Sequence, residues 1–277
     1  MTLRRSTLFV GALVLDGFDA ALASGADVVC IDLEDAVPPG RKDEGRVATI
    51  ERVARVRSVP GAALAARINA LDDLEGPVDL RILATQARAI STFVLPKVSG
   101  PDEVRRAAGA LEELDSQAEL AAIIETTAGL EAAAAIARAH PRLKSLYFGG
   151  FDLSTALGCD MAWEPLLYAR SRTVHAAAGA GIECLDSPFP DVRDAEGLAQ
   201  SCARVKALGM AGKCAKHASQ VAGINAAFTP SAAELDRARR IVEAFEADPT
   251  RPLVFDGKLV ELPTVKRLQR LVRAQGS

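Results

Sequence analysis

Eight short apolar runs recur along the first three-quarters of the chain: Thr7–Val10, Val28–Leu33, Ala63–Ile68, Thr92–Pro96, Leu120–Ile124, Leu146–Phe148, Glu183–Asp186 and Lys213–Lys216. The clearest are apolar at almost every position, as strands covered on both faces are, rather than alternating with polar residues. Between them the apolar spacing lengthens to the helical period. Val47, Ile50 and Ala54 fall on one face, and Leu198, Cys202 and Val205 on another. Pro101-Asp102-Glu103 opens a helix, with proline early and acids near the positive end of the dipole. Gly209 after Leu208 stops one. Eight strand–helix units in about 220 residues predict an α/β protein, a (β/α)₈ TIM barrel over residues 1–228. A doubly wound open sheet is the alternative, but it would be long at eight strands.

After His217 the pattern changes. Thr229-Pro230-Ser231 opens a helix with Leu235, Ala238, Ile241, Val242 and Phe245 on one face. Asp248–Pro252 reads as a linker, and Leu253–Val260 as a hairpin with its tight turn at Asp256-Gly257. A last helix from Pro263 carries Val265, Leu268, Leu271 and Val272. This helical and hairpin extension, residues 229–277, is not needed to close a barrel. It is expected to act as a lid or as an arm gripping a neighbouring subunit.

Composition narrows the function. Lys and Arg number 33 and Asp and Glu 36 among 277 residues, a formal net charge of −3. Without a basic excess to meet phosphate, nucleic-acid binding is excluded. At 49% hydrophobic residues a disordered chain is excluded too. No apolar run reaches the roughly 20 residues of a membrane span, and Asp16 and Asp19 interrupt the apolar stretch behind the basic N-terminus, so no signal peptide is read. The five cysteines form no C-x-x-C pair, so neither a zinc cluster nor a disulfide framework is expected. The expectation is a cytoplasmic protein with buried, reduced thiols.

Catalytic groups of a (β/α)₈ barrel lie at the C-terminal ends of its strands. Seven of the eight runs end in or just before charged or polar residues: Asp32 and Glu34, Arg67, Lys97, Glu125, Asp152 after Gly149-Gly150, Asp186, and His217. Carboxylates gathered there would repel one another without a cation, and a hard divalent ion relieves this while leaving positions for water and substrate oxygens. Arg67 can hold a substrate carboxylate through two parallel hydrogen bonds. A carboxylate clamp beside a bound metal suits a 2-oxo acid. Blander roles stand beside these: Arg67 as a structural ion pair, Glu125 and Asp152 as helix-capping acids, Lys97 as a solvated lysine. Asp32 and Glu34 are read as organising Arg67 or metal-bound water, His217 as a structural hydrogen-bonding group and Trp163 as packing.

The strings Arg5–Val10, Ala23–Val37, Arg67-Ile68-Asn69, Leu95–Val98, Ile124-Glu125-Thr126, Phe148–Leu153, Asp191–Leu198, Gly212–Gln220 and Asp256-Gly257-Lys258, in this order, resemble the HpcH/HpaI aldolase/citrate lyase family, in its citrate lyase β-subunit-like branch of CoA-ester lyases. The resemblance implies a TIM barrel binding Mg²⁺, or Mn²⁺, through Glu125 and Asp152. It implies that Arg67 holds the carboxylate of a 2-oxo acid, with Lys97, Glu125 and Gly150 also at the substrate. It implies reversible carbon–carbon cleavage of a 3-hydroxyacyl-CoA into a 2-oxo acid and an acyl-CoA, with Arg67 and Glu261 as catalytic residues. Glu261 stands where the tail motif usually has an acid/base aspartate. A homotrimer or hexamer is implied as well. Three departures stand out. The first run continues apolar and then acidic, at Asp16, where CoA-using members are usually basic. Phe151 replaces the usual glutamate before Asp152, and Ala218 replaces a proline. The competing readings are a CoA-independent class II pyruvate-type aldolase, against which Asp35 stands where that branch usually has histidine, and a subunit of a lyase complex acting on a carrier-bound thioester.

Overall fold

The computed structural model describes residues 4–56, 61–249 and 252–274. The side chain of Asp16 and residues 250–251 of the linker lie outside the described residues. The first half of the chain runs β1 (Ser6–Gly11), α1 (Leu15–Ala23), β2 (Val28–Asp32), α2 (Lys42–Arg55), β3 (Ala63–Arg67), α3 (Glu75–Gln86), β4 (Ile90–Leu95), α4 (Pro101–Glu113), β5 (Glu119–Ile124) and α5 (Thr127–Ala137). It continues with β6 (Leu143–Phe148), α6 (Gly150–Leu157), α7 (Trp163–Ala180), β7 (Glu183–Asp186), α8 (Ala195–Leu208), β8 (Gly212–Ala215), α9 (Val221–Phe228), α10 (Ala232–Ala247), β9 (Leu253–Phe255), β10 (Lys258–Val260) and α11 (Leu262–Ala274). Each of the eight apolar runs of the barrel region overlaps a strand.

Strands β1 to β8 pair in sequence order and close into a barrel, with β8 parallel to β1. Alternate side chains point to opposite faces of the sheet. One set, including Cys30, Ala65, Val94, Ile123, Tyr147 and Leu185, fills the barrel interior. The other meets the helices, where Ala107, Ala108, Ala133, Ala176 and Ala177 are buried. These small residues let α4, α5 and α7 sit close to the sheet, which is where the chain's alanine enrichment goes. Local signals set the helix ends. Thr126 and Asp194 accept backbone N–H groups at the starts of α5 and α8, and Gly209 ends α8 at φ 103°.

Helix α2 departs from its apolar pattern. Val47 is exposed, and the buried face carries Gly45, Arg46, Thr49, Arg52 and Val53. Arg46 is buried because Asp79 and Glu75 lie 2.6 and 2.7 Å away, and Arg52 because it donates to the carbonyl of Ala12. A charged side chain that finds strong acceptors for most of its donors can displace an aliphatic one from a buried face.

Contacts divide the chain into two compact units, residues 1–228 and 229–277. In the second, α10 begins with a reciprocal cap between Ser231 and Glu234. Helices α10 and α11 share an apolar cluster of Ala238, Ile241 and Leu268, with Phe255 of the hairpin against it. Asp256 and Gly257 both have positive φ, 49° and 72°, as a two-residue turn between right-twisted strands requires. Among the described residues no helix is long and apolar enough to cross a membrane.

Candidate active site

The C-terminal ends of the strands surround a cavity of about 650 Å³, walled by Asp32, Arg67, Glu125, Phe151, Asp152, Ser187 and Lys216 and floored by Tyr147 and Cys214. Asp32 and Arg67 end neighbouring strands at paired positions, so their side chains turn the same way. Arg67 Nε and Nη2 donate to the two carboxylate oxygens of Asp32 at 2.8 and 2.6 Å. Its Nη1 lies 2.7 Å from Glu34 Oε2, and Asp35 approaches Nη2 at 3.5 Å. Burial opposes the charge on this guanidinium, but the three acids outweigh it and hold its pKa well above the usual range. Arg67 is therefore largely committed within the protein, a tighter engagement than a free carboxylate clamp.

Lys97 Nζ lies 2.7 Å from Glu34 Oε1. Neither oxygen of Glu34 completes a well-directed hydrogen bond with any described residue, and burial pushes its carboxyl pKa up despite Arg67 and Lys97. Lys97 contributes through its backbone as well. At φ 53° it adopts a left-handed conformation, which costs a non-glycine residue about 1–2 kcal/mol, and its N–H donates to Glu125 Oε1 at 2.7 Å.

Glu125 is the most perturbed acid of the mouth. Burial, and then the negative charges of Glu34 and Asp152, push its pKa up to about 8 against the Lys97 N–H and Arg67. Gly149 makes room for it, since a Cβ there would stand 2.3 Å from Glu125 Cβ. Gly150, the first residue of α6, is packed beside Met161 and Phe148. Asp152 lies in the first turn of α6, exposed on the cavity wall, and makes no ion pair with any described residue. Two hard oxygen donors thus face the cavity, one of them a buried carboxylate short of positive charge. Among the described residues no group of three or more His, Cys, Asp or Glu could hold a metal. That set suits an ion that keeps water and substrate oxygens in its shell, as Mg²⁺ does, better than zinc.

Other candidates lie elsewhere. Asp186 does not reach the mouth. It is fully buried and bonded to Arg170 at 2.9 Å and to Lys213, which ends its place as an open rim acid. Asn69 is bound to Asp79. His217 accepts the Ser219 N–H and begins a short 3₁₀ turn. Trp163 is half-buried between Arg170 and Arg204. Cys30, Cys184, Cys202 and Cys214 are buried free thiols, with Cys159 half-buried. Burial pushes the Cys214 thiol well up, so it is no nucleophile at the cavity floor. Glu261 belongs to the second unit, exposed immediately before α11. The sequence reading passed over Lys216 and Ser187 on the cavity wall. The signal for both is period-two alternation beyond Cys214 and Leu185, which face the barrel interior.

A closed barrel with an acid-rich pocket at its C-terminal mouth places the chain in the class of TIM-barrel enzymes. The chain belongs to the HpcH/HpaI aldolase/citrate lyase family, whose sequence model matches residues 5–218. It is 32% identical to an L-malyl-CoA/beta-methylmalyl-CoA lyase of Cereibacter sphaeroides, over 92% of this chain and 89% of the relative. It is 32% identical to a (3S)-malyl-CoA thioesterase of the same species, over 98% and 94%. Among solved structures it is similar to protein CitE from Mycobacterium tuberculosis in complex with magnesium, acetoacetate and coenzyme A (TM-score 0.81, 29% identity, 99% of this chain and 98% of the other).

Proposed function

We propose that this lyase-family enzyme makes and breaks the carbon–carbon bond between an acyl-CoA and a 2-oxo acid, with Mg²⁺ held by Glu125 and Asp152. The observation that carries the reading is the Glu125–Asp152 pair: a buried carboxylate with its pKa raised to about 8, beside a second acid, at the mouth of a barrel whose relatives are malyl-CoA lyases. Mg²⁺ bound there would polarise the 2-oxo acid carbonyl and stabilise the oxyanion that develops on it. Arg67 orients the acid's carboxylate with the Nη1 hydrogen left over from its hydrogen bonds to Asp32 and its ion pair with Glu34. Those two acids fix its plane, and Lys97 holds Glu125 in place through its backbone N–H. In the condensing direction Glu261, from a neighbouring copy of a homotrimer or hexamer, removes the proton α to the thioester carbonyl. The resulting carbanion attacks the keto carbon, and the new alkoxide takes up a proton. In cleavage the hydroxyl proton leaves, the carbon–carbon bond breaks, and Glu261 returns a proton to the acyl carbon. The free, mostly buried thiols are in keeping with a cytoplasmic location.

Proton NMR in D₂O with Mg²⁺ tests this. Acetyl-CoA and propionyl-CoA should lose their α-proton signals in the presence of enzyme and a 2-oxo acid. EDTA or Glu125→Ala should abolish the exchange, and Glu261→Gln should slow it by ~10² or more. Exchange of the pyruvate methyl instead would assign a CoA-free aldolase. Release of free CoA from malyl-CoA without a 2-oxo acid would align the chain with its thioesterase relative.

A further inference from the structure

The cations of the mouth are not equally available. Arg67 is shared among Asp32, Glu34 and Asp35, and Lys97 is engaged by Glu34. Lys216 lines the same cavity and makes no ion pair or side-chain hydrogen bond with any described residue. It follows β8, whose Ala215 pairs with Leu8 of β1, and it is exposed. Its Nζ lies 4.4 Å from the centre of the Phe151 ring, whose face attracts a cation and steadies the flexible side chain. Ser187, after β7, lines the same cavity. This residue is 2% exposed, and its Oγ has no hydrogen-bond partner among the described residues although the residue walls the cavity. A buried hydroxyl without a partner is costly unless a ligand supplies one.

We propose that Lys216, steadied by Phe151 and with Ser187 on the wall of the same cavity, is the specificity-determining residue that receives a second carboxylate on the substrate, so that the site favours a dicarboxylic 2-oxo acid over a monocarboxylic one. The assignment rests on the 2-oxo acid reading above and deepens it. The other cations of the mouth, Arg67 and Lys97, are already paired with Asp32, Glu34 and Asp35, which leaves Lys216 to meet a second negative charge on the substrate. A solvated ammonium meeting a carboxylate, with one hydroxyl donor added, is worth about ten-fold in affinity.

Calorimetric titration of the full chain with Mg²⁺ tests the assignment, using pyruvate, freshly dissolved oxaloacetate and coenzyme A as ligands. Wild type should bind oxaloacetate about ten-fold more tightly than pyruvate. Lys216→Met should erase that ratio, Lys216→Arg should restore it, and Ser187→Ala should lower it. A ratio unchanged in Lys216→Met overturns the proposal. So does a Lys216→Met variant that loses coenzyme A binding and keeps the ratio, because the anion met would then be a phosphate. Wild type binding both acids equally would overturn the role of Lys216 alone. Wild type binding neither would remove the 2-oxo acid reading and this role with it.

Discussion

Protonation of Glu125 should govern metal binding. Burial, then Glu34 and Asp152, raise its carboxyl to about 8, and a divalent ion binds the ionised form. At pH 6, two units below that value, about one carboxyl in a hundred is ionised, so apparent Mg²⁺ affinity should fall about 100-fold from its high-pH limit, close to 2.7 kcal/mol. At pH 9 about nine in ten are ionised and the affinity is near its limit. The metal-free fold responds in the opposite sense. An unfolded chain loses this proton near the ordinary glutamate value of 4.5, whereas the folded chain keeps it to about 8. Metal-free stability attributable to Glu125 is therefore full below pH 4.5, declines as pH rises through the interval, and levels off above 8. Calorimetric Mg²⁺ titrations from pH 6 to 9, in buffers of different ionisation enthalpy, read both the affinity and the proton released. Release of nearly one proton per Mg²⁺ is expected at pH 7, falling towards zero at pH 9 and vanishing in Glu125→Gln. A wild-type affinity constant within three-fold from pH 6 to 9, with no proton release, would refute the link between Glu125 and the ion.

Three further outcomes follow from the geometry. Asp186→Asn leaves Arg170 and Lys213 buried without their shared counter-charge and should cost about 3–5 kcal/mol in urea unfolding; adding Lys213→Met should recover part of the loss rather than deepen it. Gly149→Ala forces a methyl against Glu125 Cβ and should cost about 1–3 kcal/mol and weaken Mg²⁺ binding, read by thermal unfolding with and without the ion. Arg67→Met leaves Asp32 and Glu34 buried without their arginine and should destabilise by about 3–5 kcal/mol, so the loss of 2-oxo acid binding is best compared with Arg67→Lys, which keeps the charge without the bidentate geometry.

Much of the architecture was legible in the chain itself. Residues such as Val28–Ile31 and Leu120–Ile124 are apolar at nearly every position, and a run this short between turn signals fits a strand covered on both faces. Eight of these with helical spacing between them leave little but a barrel, and a barrel's chemistry gathers at its strand ends. Arg67, Glu125 and Asp152 could therefore be named as candidates before any contact was known, and the structure brings all three to one cavity. The Asp256-Gly257 turn and the helix opening at Thr229-Pro230-Ser231 were equally legible, because their causes lie within a few residues.

Tertiary structure decided what depends on partners far apart in sequence. Asp186 looked like Asp32, a charge at a strand end. The pleat turns it towards the helix layer, where Arg170, sixteen residues earlier, and Lys213, twenty-seven later, bury it as an ion cluster. One residue of register separates a rim acid from a buried structural one, and apolar spacing cannot resolve that difference. Helix α2 buried Arg46 and Arg52 because Asp79, Glu75 and the Ala12 carbonyl were waiting for them. Arg67 became committed, and Lys216 was left available, through the placement of Asp32, Glu34 and Asp35. The sequence by itself determined which segments are strands and helices, since backbone geometry and solvent act locally. Only the closed barrel decided which charges meet, because a charge's protonation and availability depend on its neighbours in space and on how much water remains around it.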